Sequence, residues 1–157
     1  MVSVAVEAIV SDPAFASLAT PSQATKDGVD QIFEAIRKSG TDSTLIERAI
    51  SSMGTMKSSR AVDKLFALVE IGALVKSEPT NWKMLRNPIA HGSLRIDPKA
   101  LQELLDNIYG SMTLLHKLVF IIIGYDGIYS DYSKHGWHIK TFNASAFSCK
   151  LGPVAEN

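Results

Sequence analysis

The chain is 157 residues long and 46% apolar, which suits one compact domain with a substantial core. Sixteen lysines and arginines balance sixteen aspartates and glutamates, so no net positive field advertises nucleic acid as a partner, which counts against a large nucleic-acid-binding surface but leaves room for a local basic cleft. A single cysteine, Cys149, excludes an intrachain disulfide and favours a reducing, cytoplasmic setting. The first ten residues carry Glu7 and no basic start, unlike a secretory signal. The longest apolar run, Leu118 to Ile123, is far short of the roughly 20 residues that span a bilayer. A soluble protein without a membrane partner is expected.

Met1 to Ser11 mixes strand-like alternation with a helical option, and Asp12-Pro13 is a plausible start for a short helix through Leu18. Pro21 to Gly28 reads as a linker, so residues 1–26 are expected to be an N-terminal stub or short helical extension of the main domain, 27–142. Val29, Ile32, Phe33 and Ile36 then line one face of a helix that Gly40 can close. A second helix is expected from Thr44, in a capping box with Glu47, to Gly54. A third should run from Ser59 to Lys76, facing the core with Val62, Leu65, Phe66, Val69 and Ala73, and Pro79 follows its end.

Asn81 to Arg86 forms a short helix or turn leading to Pro88, which biases Asn87 away from helical geometry, so a break is expected between Arg86 and His91. Asp97-Pro98 is a strong start for the longest helix, which carries Leu101, Leu104, Leu105, Ile108, Met112, Leu115, Val119 and Ile122 and ends near Gly124. Its last turns are apolar all round, as for a helix end buried by the bundle or a second subunit. Tyr125 to Tyr132 is loop-like, and residues 143–157 read as a poorly ordered tail. The fold class is all-α, an antiparallel bundle of four to five main helices.

The chemistry concentrates in Leu85-Arg86-Asn87-Pro88-Ile89-Ala90-His91-Gly92. Arg86 supplies a permanent cation whose planar fork fits phosphate oxygens, and five positions on His91 trades protons near neutral pH. Together they suit reactions of a phosphodiester. Asn87 is placed to orient His91 or a phosphate oxygen, and Lys83 and Arg95 to attract the strand. A structural role is the rival for each: His91 bonding a carbonyl at a helix end, Arg86 pairing with Glu78 or Asp97, Asn87 serving the turn before proline.

An arginine, a polar residue and a histidine set between the last two main helices of an all-helical domain resemble the HEPN superfamily. With Gly124-Tyr125-Asp126-Gly127 and Tyr129-Ser130-Asp131-Tyr132-Ser133 after the last helix, the stretch looks like the C-terminal HEPN domains of bacterial abortive-infection proteins of the ApeA type. The resemblance covers about Asp27 to Phe142. It implies a metal-independent endoribonuclease without cofactors that acts in phage defence or stress response, as a homodimer in which the Arg86 and His91 pairs of both subunits face one another. It also implies two alternatives: a non-catalytic RNA- or nucleotide-binding or dimerisation module, and attachment to an upstream sensor domain or partner protein. In the toxin branch of the superfamily a tyrosine two positions after the histidine is modified; Ser93 stands there in this chain.

Other residues carry weaker signals. His135 and His138 near Asp131 lack a firm third metal ligand, and His116 beside Leu115 suits a core or interface position. Trp82, Trp137, Tyr125, Tyr129 and Tyr132 can stack on bases, although packing of the C-terminal segment is the commoner use of such residues.

Overall fold

A computed structural model describes residues 2–90 and 101–147; of residues 87–90 it describes the backbone alone. Helices dominate, in the order α1 (Val2–Val10), α2 (Gln23–Arg37), α3 (Ser43–Gly54), α4 (Ala61–Glu70), α5 (Ser77–Ala90) and α6 (Leu101–Ile123). A hairpin of β1 (Asp126–Ser130) and β2 (Ile139–Asn143) follows, paired antiparallel with Ile128 opposite Thr141. The expected helical class holds among the described residues, with one small sheet added to it. Strand formation follows from the alternation of Ile128, Tyr129, Ile139 and Phe142: Tyr129 and Phe142 pack edge-to-face with centroids 6.3 Å apart, whereas Ile128 and Ile139 are exposed.

Several boundaries move for identifiable reasons. The segment read as a linker contains the start of α2, where Ser22 caps the helix by accepting from the Thr25 N–H at 3.1 Å. Asp42, rather than Thr44, caps α3, because its carboxylate reaches the N–H groups of both Thr44 and Leu45. The single helix expected from Ser59 to Lys76 ends at Glu70. Gly72 adopts a φ of +84°, which lets the Ala73 N–H bond the Leu68 carbonyl at 2.9 Å and the Gly72 N–H bond Val69 at 3.0 Å, a Schellman closure. Gly124, at φ +65°, closes α6 in the same way, and Tyr125 then lies 4.7 Å from the Phe120 ring, centroid to centroid. Pro79 sits in the first turn of α5, where the missing N–H costs no helix bond. The backbone of α5 continues as helix through Asn87 and Pro88 to Ala90, so the break expected between Arg86 and His91 does not fall before Ala90, and His91 itself lies outside the described residues.

Residues near both ends of the described segments belong to the core. Val6, Val10, Phe15 and Leu18 from the segment read as a stub join Leu65, Leu68, Trp82, Leu114 and Leu118 in one buried cluster. Phe142, the last residue of the expected main domain, and Ala144, in the segment read as a tail, are 5% and 2% exposed. Residues 148–157 lie outside the described residues. The α2–α3 pair stands apart, with Val29 and Phe33 buried but absent from the main cluster.

The face that α6 turns inward differs from the expected stripe. Gly110, Ser111, Thr113, Leu114, Lys117, Leu118 and Ile121 are buried, whereas Leu104, Leu105, Ile108, Met112, Leu115 and Val119 are half-buried and Leu101 and Ile122 exposed. Small residues explain the choice, because a Cβ at Gly110 would collide with the Asn81 side chain of α5. The inward polar groups are satisfied. Lys117 Nζ pairs with Glu78 Oε1 at 2.6 Å, the other Glu78 oxygen accepts from the Val75 N–H at 2.9 Å, and Lys64 Nζ donates to the Val10 carbonyl at 3.1 Å.

Asp131 fixes the segment between the strands. Its buried carboxylate pairs with Lys140 Nζ at 2.6 Å and accepts from the Ser133 N–H at 3.0 Å, while Thr113 Oγ1 accepts from that same N–H at 3.1 Å. Burial pushes its pKa up, but the Lys140 ammonium and the Ser133 hydroxyl and N–H together hold it below the ordinary carboxylate range. A lowered folded value contributes stability that is complete above the unfolded value of about 3.9 and is lost as pH falls through the folded one. We expect Asp131→Asn to lower the urea midpoint at pH 7 and to flatten its fall below about pH 4. Parallel acid slopes in the two proteins would show that another carboxylate governs acid unfolding.

Candidate functional site

Lys83 and Arg86 lie three positions apart on α5, hence on one helix face, and both are exposed. Beneath them Trp82 is 2% exposed, and its indole N–H donates to the Ser3 carbonyl at 3.1 Å, tying α5 to α1. The Arg86 guanidinium carbon stands 5.9 Å from the Trp82 ring centre, within cation–π range. Arg86 Nε donates to Glu7 Oε1 at 2.5 Å. Of the two acids first considered as its partners, Glu78 is engaged by Lys117, and Asp97 lies outside the described residues.

These side chains border a groove of about 530 Å³ between α1, α4 and α5, completed by Arg60, Asp63 and Phe66. Arg60 grips Asp63 with two hydrogen bonds, at 2.8 and 2.9 Å, which lowers the Asp63 pKa and raises that of Arg60. The rim thus holds two ion pairs, Arg86–Glu7 and Arg60–Asp63, plus the Lys83 ammonium. Among the described residues Lys83 has no ion-pair partner. Among the described residues the groove carries an excess of one positive charge. That is a modest attraction for a phosphate group and matches the neutral composition of the chain.

His91 and Arg95 lie outside the described residues, as does the side chain of Asn87, whose backbone is in α5. What the described residues bring together is Lys83, Arg86 and Trp82, on a helix whose last residue, Ala90, immediately precedes His91 in the sequence. Sequence reasoning missed Glu7. It is 79 positions from Arg86, in a segment without a clear helical period, so no local signal links the two.

The remaining candidates separate by burial. Trp82 is sealed in the core, Tyr125 donates its hydroxyl to the Ile128 carbonyl at 2.7 Å, and burial with the nearby Asp131 and Glu78 charges raises the Tyr129 pKa. His116 is half-buried and meets Tyr132 edge-on at 5.6 Å between ring centroids. His135 and His138 are exposed, and among the described residues no three His, Cys, Asp or Glu side chains cluster as a metal site. No helix among those residues is long and apolar enough to cross a membrane. No protein-family model, characterised protein or solved structure gives a significant match to this chain.

Proposed function

We propose that this chain is a metal-independent endoribonuclease of the HEPN type, acting as a cytoplasmic homodimer in phage defence or stress response. Arg86 and His91 are its catalytic residues, supported by Asn87, and Lys83 and Arg95 bind RNA. The observation that supports this most is the exposed Lys83–Arg86 face of α5, held over the buried Trp82 on the helix that leads directly to His91. Two cations on one rigid face suit a phosphodiester.

In the reaction the RNA 2′-oxygen bonds to phosphorus while the bond from phosphorus to the 5′-oxygen breaks. One neutral His91 accepts the 2′-hydroxyl proton, and a protonated His91 of a second copy delivers a proton to the leaving 5′-oxygen. Arg86 stabilises the charge that builds on the phosphoryl oxygens. A homodimer supplies both histidines. It is supported by Leu101, Leu105, Ile108, Met112, Leu115, Val119 and Ile122, which recur every three or four residues along α6 and stay half-buried or exposed in the single chain.

Glu7 has to yield Arg86 to a phosphate, so Glu7→Gln should tighten RNA binding about two- to tenfold and raise cleavage at low RNA concentration. Gel-shift titration and initial rates in EDTA read both. Unchanged binding would mean that the Arg86–Glu7 pair does not compete with RNA. The same pair favours a second reading, a non-catalytic RNA- or nucleotide-binding or dimerisation HEPN module of a larger defence protein, because a guanidinium already satisfied by a carboxylate needs no phosphate. Binding without cleavage across the pH range would select that reading.

A further inference from the structure

A second pocket lies away from the Arg86 groove, between the N-terminal half of α6 and the segment joining β1 to β2. It encloses about 100 Å³ and is bordered by Gln102, Asp106, Tyr132, Lys134, His135 and Trp137. Three observations mark it as built. The segment is clamped to α6 through Asp131, Ser133 and Thr113. Trp137 is 55% exposed at a φ of +49°, directly after Gly136 at +83°. Left-handed geometry costs a bulky residue about 1–2 kcal/mol, so the fold sustains strain at a residue whose ring it leaves in solvent. Tyr132 meets Trp137 at 5.5 Å between centroids with the planes 68° apart, so the two rings are steeply inclined rather than stacked, and the indole stays 55% exposed.

The polar groups around that indole are of two kinds. Asp106 accepts from Gln102 Nε2 at 2.8 Å, which fixes a carboxylate with remaining acceptor capacity on the α6 side. Lys134 and His135, also on its border, bring an ammonium and an imidazole as hydrogen-bonding groups. We propose that this pocket binds one nucleobase, guanine foremost, stacked on Trp137. A base offers the flat apolar face that the indole needs. Guanine presents two neighbouring N–H donors to Asp106, and its attached phosphate meets Lys134 and His135.

Guanine could come from a free nucleotide or from single-stranded RNA, and both can be titrated against the full chain while following tryptophan emission. The only other tryptophan, Trp82, is 2% exposed, so quenching reports on Trp137. GMP should quench, AMP and UMP should require about tenfold higher concentrations, and Asp106→Asn should erase that difference. Calorimetry should show Trp137→Ala weakening GMP binding about tenfold and Trp137→Phe restoring most of it. A short guanine-containing RNA binding about tenfold more tightly than GMP assigns the base to a strand; equal affinities assign it to a free nucleotide. GMP titrations repeated in an Arg86→Ala/His91→Ala background should give the same affinity, so this pocket and the nuclease proposal stand or fall separately. Absence of binding by GMP and by the RNA up to about 1 mM, an unchanged affinity in Trp137→Ala, or quenching by tetramethylammonium but not by GMP would overturn the assignment.

Discussion

Replacing His91 or Arg86 by alanine should abolish RNA cleavage in EDTA, each with a loss of about 10²–10⁴ in rate, while helical circular dichroism stays unchanged. The Arg86 part of this expectation follows from its surroundings. Its side chain is 44% exposed and its partner Glu7 37%, so removing the pair costs only about 0–1 kcal/mol and leaves the core around Trp82 intact. Arg86→Lys retains the charge but not the planar fork, and should recover binding more than turnover. For the wild-type chain, a bell-shaped rate profile centred near neutral pH is expected if one His91 works deprotonated and its copy protonated. Normal cleavage by both alanine variants would place the chemistry on other residues.

The largest effect on stability is expected at the buried pair between Glu78 and Lys117. Their side chains are 3% and 9% exposed, and Glu78 ties together the α4–α5 turn, the first turn of α5 and the middle of α6. Glu78→Gln leaves the Lys117 ammonium buried without its anion, and Lys117→Met leaves the carboxylate without its cation. Each should cost about 3–5 kcal/mol in urea unfolding, a large part of the roughly 5–15 kcal/mol that holds a domain together. The double variant Glu78→Gln/Lys117→Met should be more stable than either single one, because no uncompensated charge remains. Additive losses would mean that the two residues act through separate packing contacts.

Much of the helical framework was legible from local signals. Gly124 marked the end of α6, Gly54 is the last residue of α3, and Val29 and Phe33 of the first apolar face are buried. What escaped was decided by distant contacts. The period of α6 pointed to Leu101, Ile108, Met112 and Leu115, but the core side is set by Gly110, Ser111 and Thr113, whose small size admits α5 and whose polarity made them look exposed. Lys117 is buried because Glu78, 39 positions earlier in the sequence, meets it. The hairpin was hidden because β1 and β2 are separated by residues 131–138 rather than by a tight turn, so no short-range hairpin signal exists. The Schellman turn at Gly72 was legible in principle; the apolar Ile71, Ala73 and Leu74 around it masked it. At the site, the cations on α5 could be read from sequence, whereas Glu7 could not.

The most direct test of the proposed chemistry is to incubate the wild-type chain with end-labelled RNA in excess EDTA and to identify the termini of the products. Attack by the 2′-hydroxyl, assisted by His91 and Arg86, predicts fragments ending in a 2′,3′-cyclic phosphate and beginning with a 5′-hydroxyl. Intact RNA throughout the pH range, or fragments beginning with a 5′-phosphate, would contradict it.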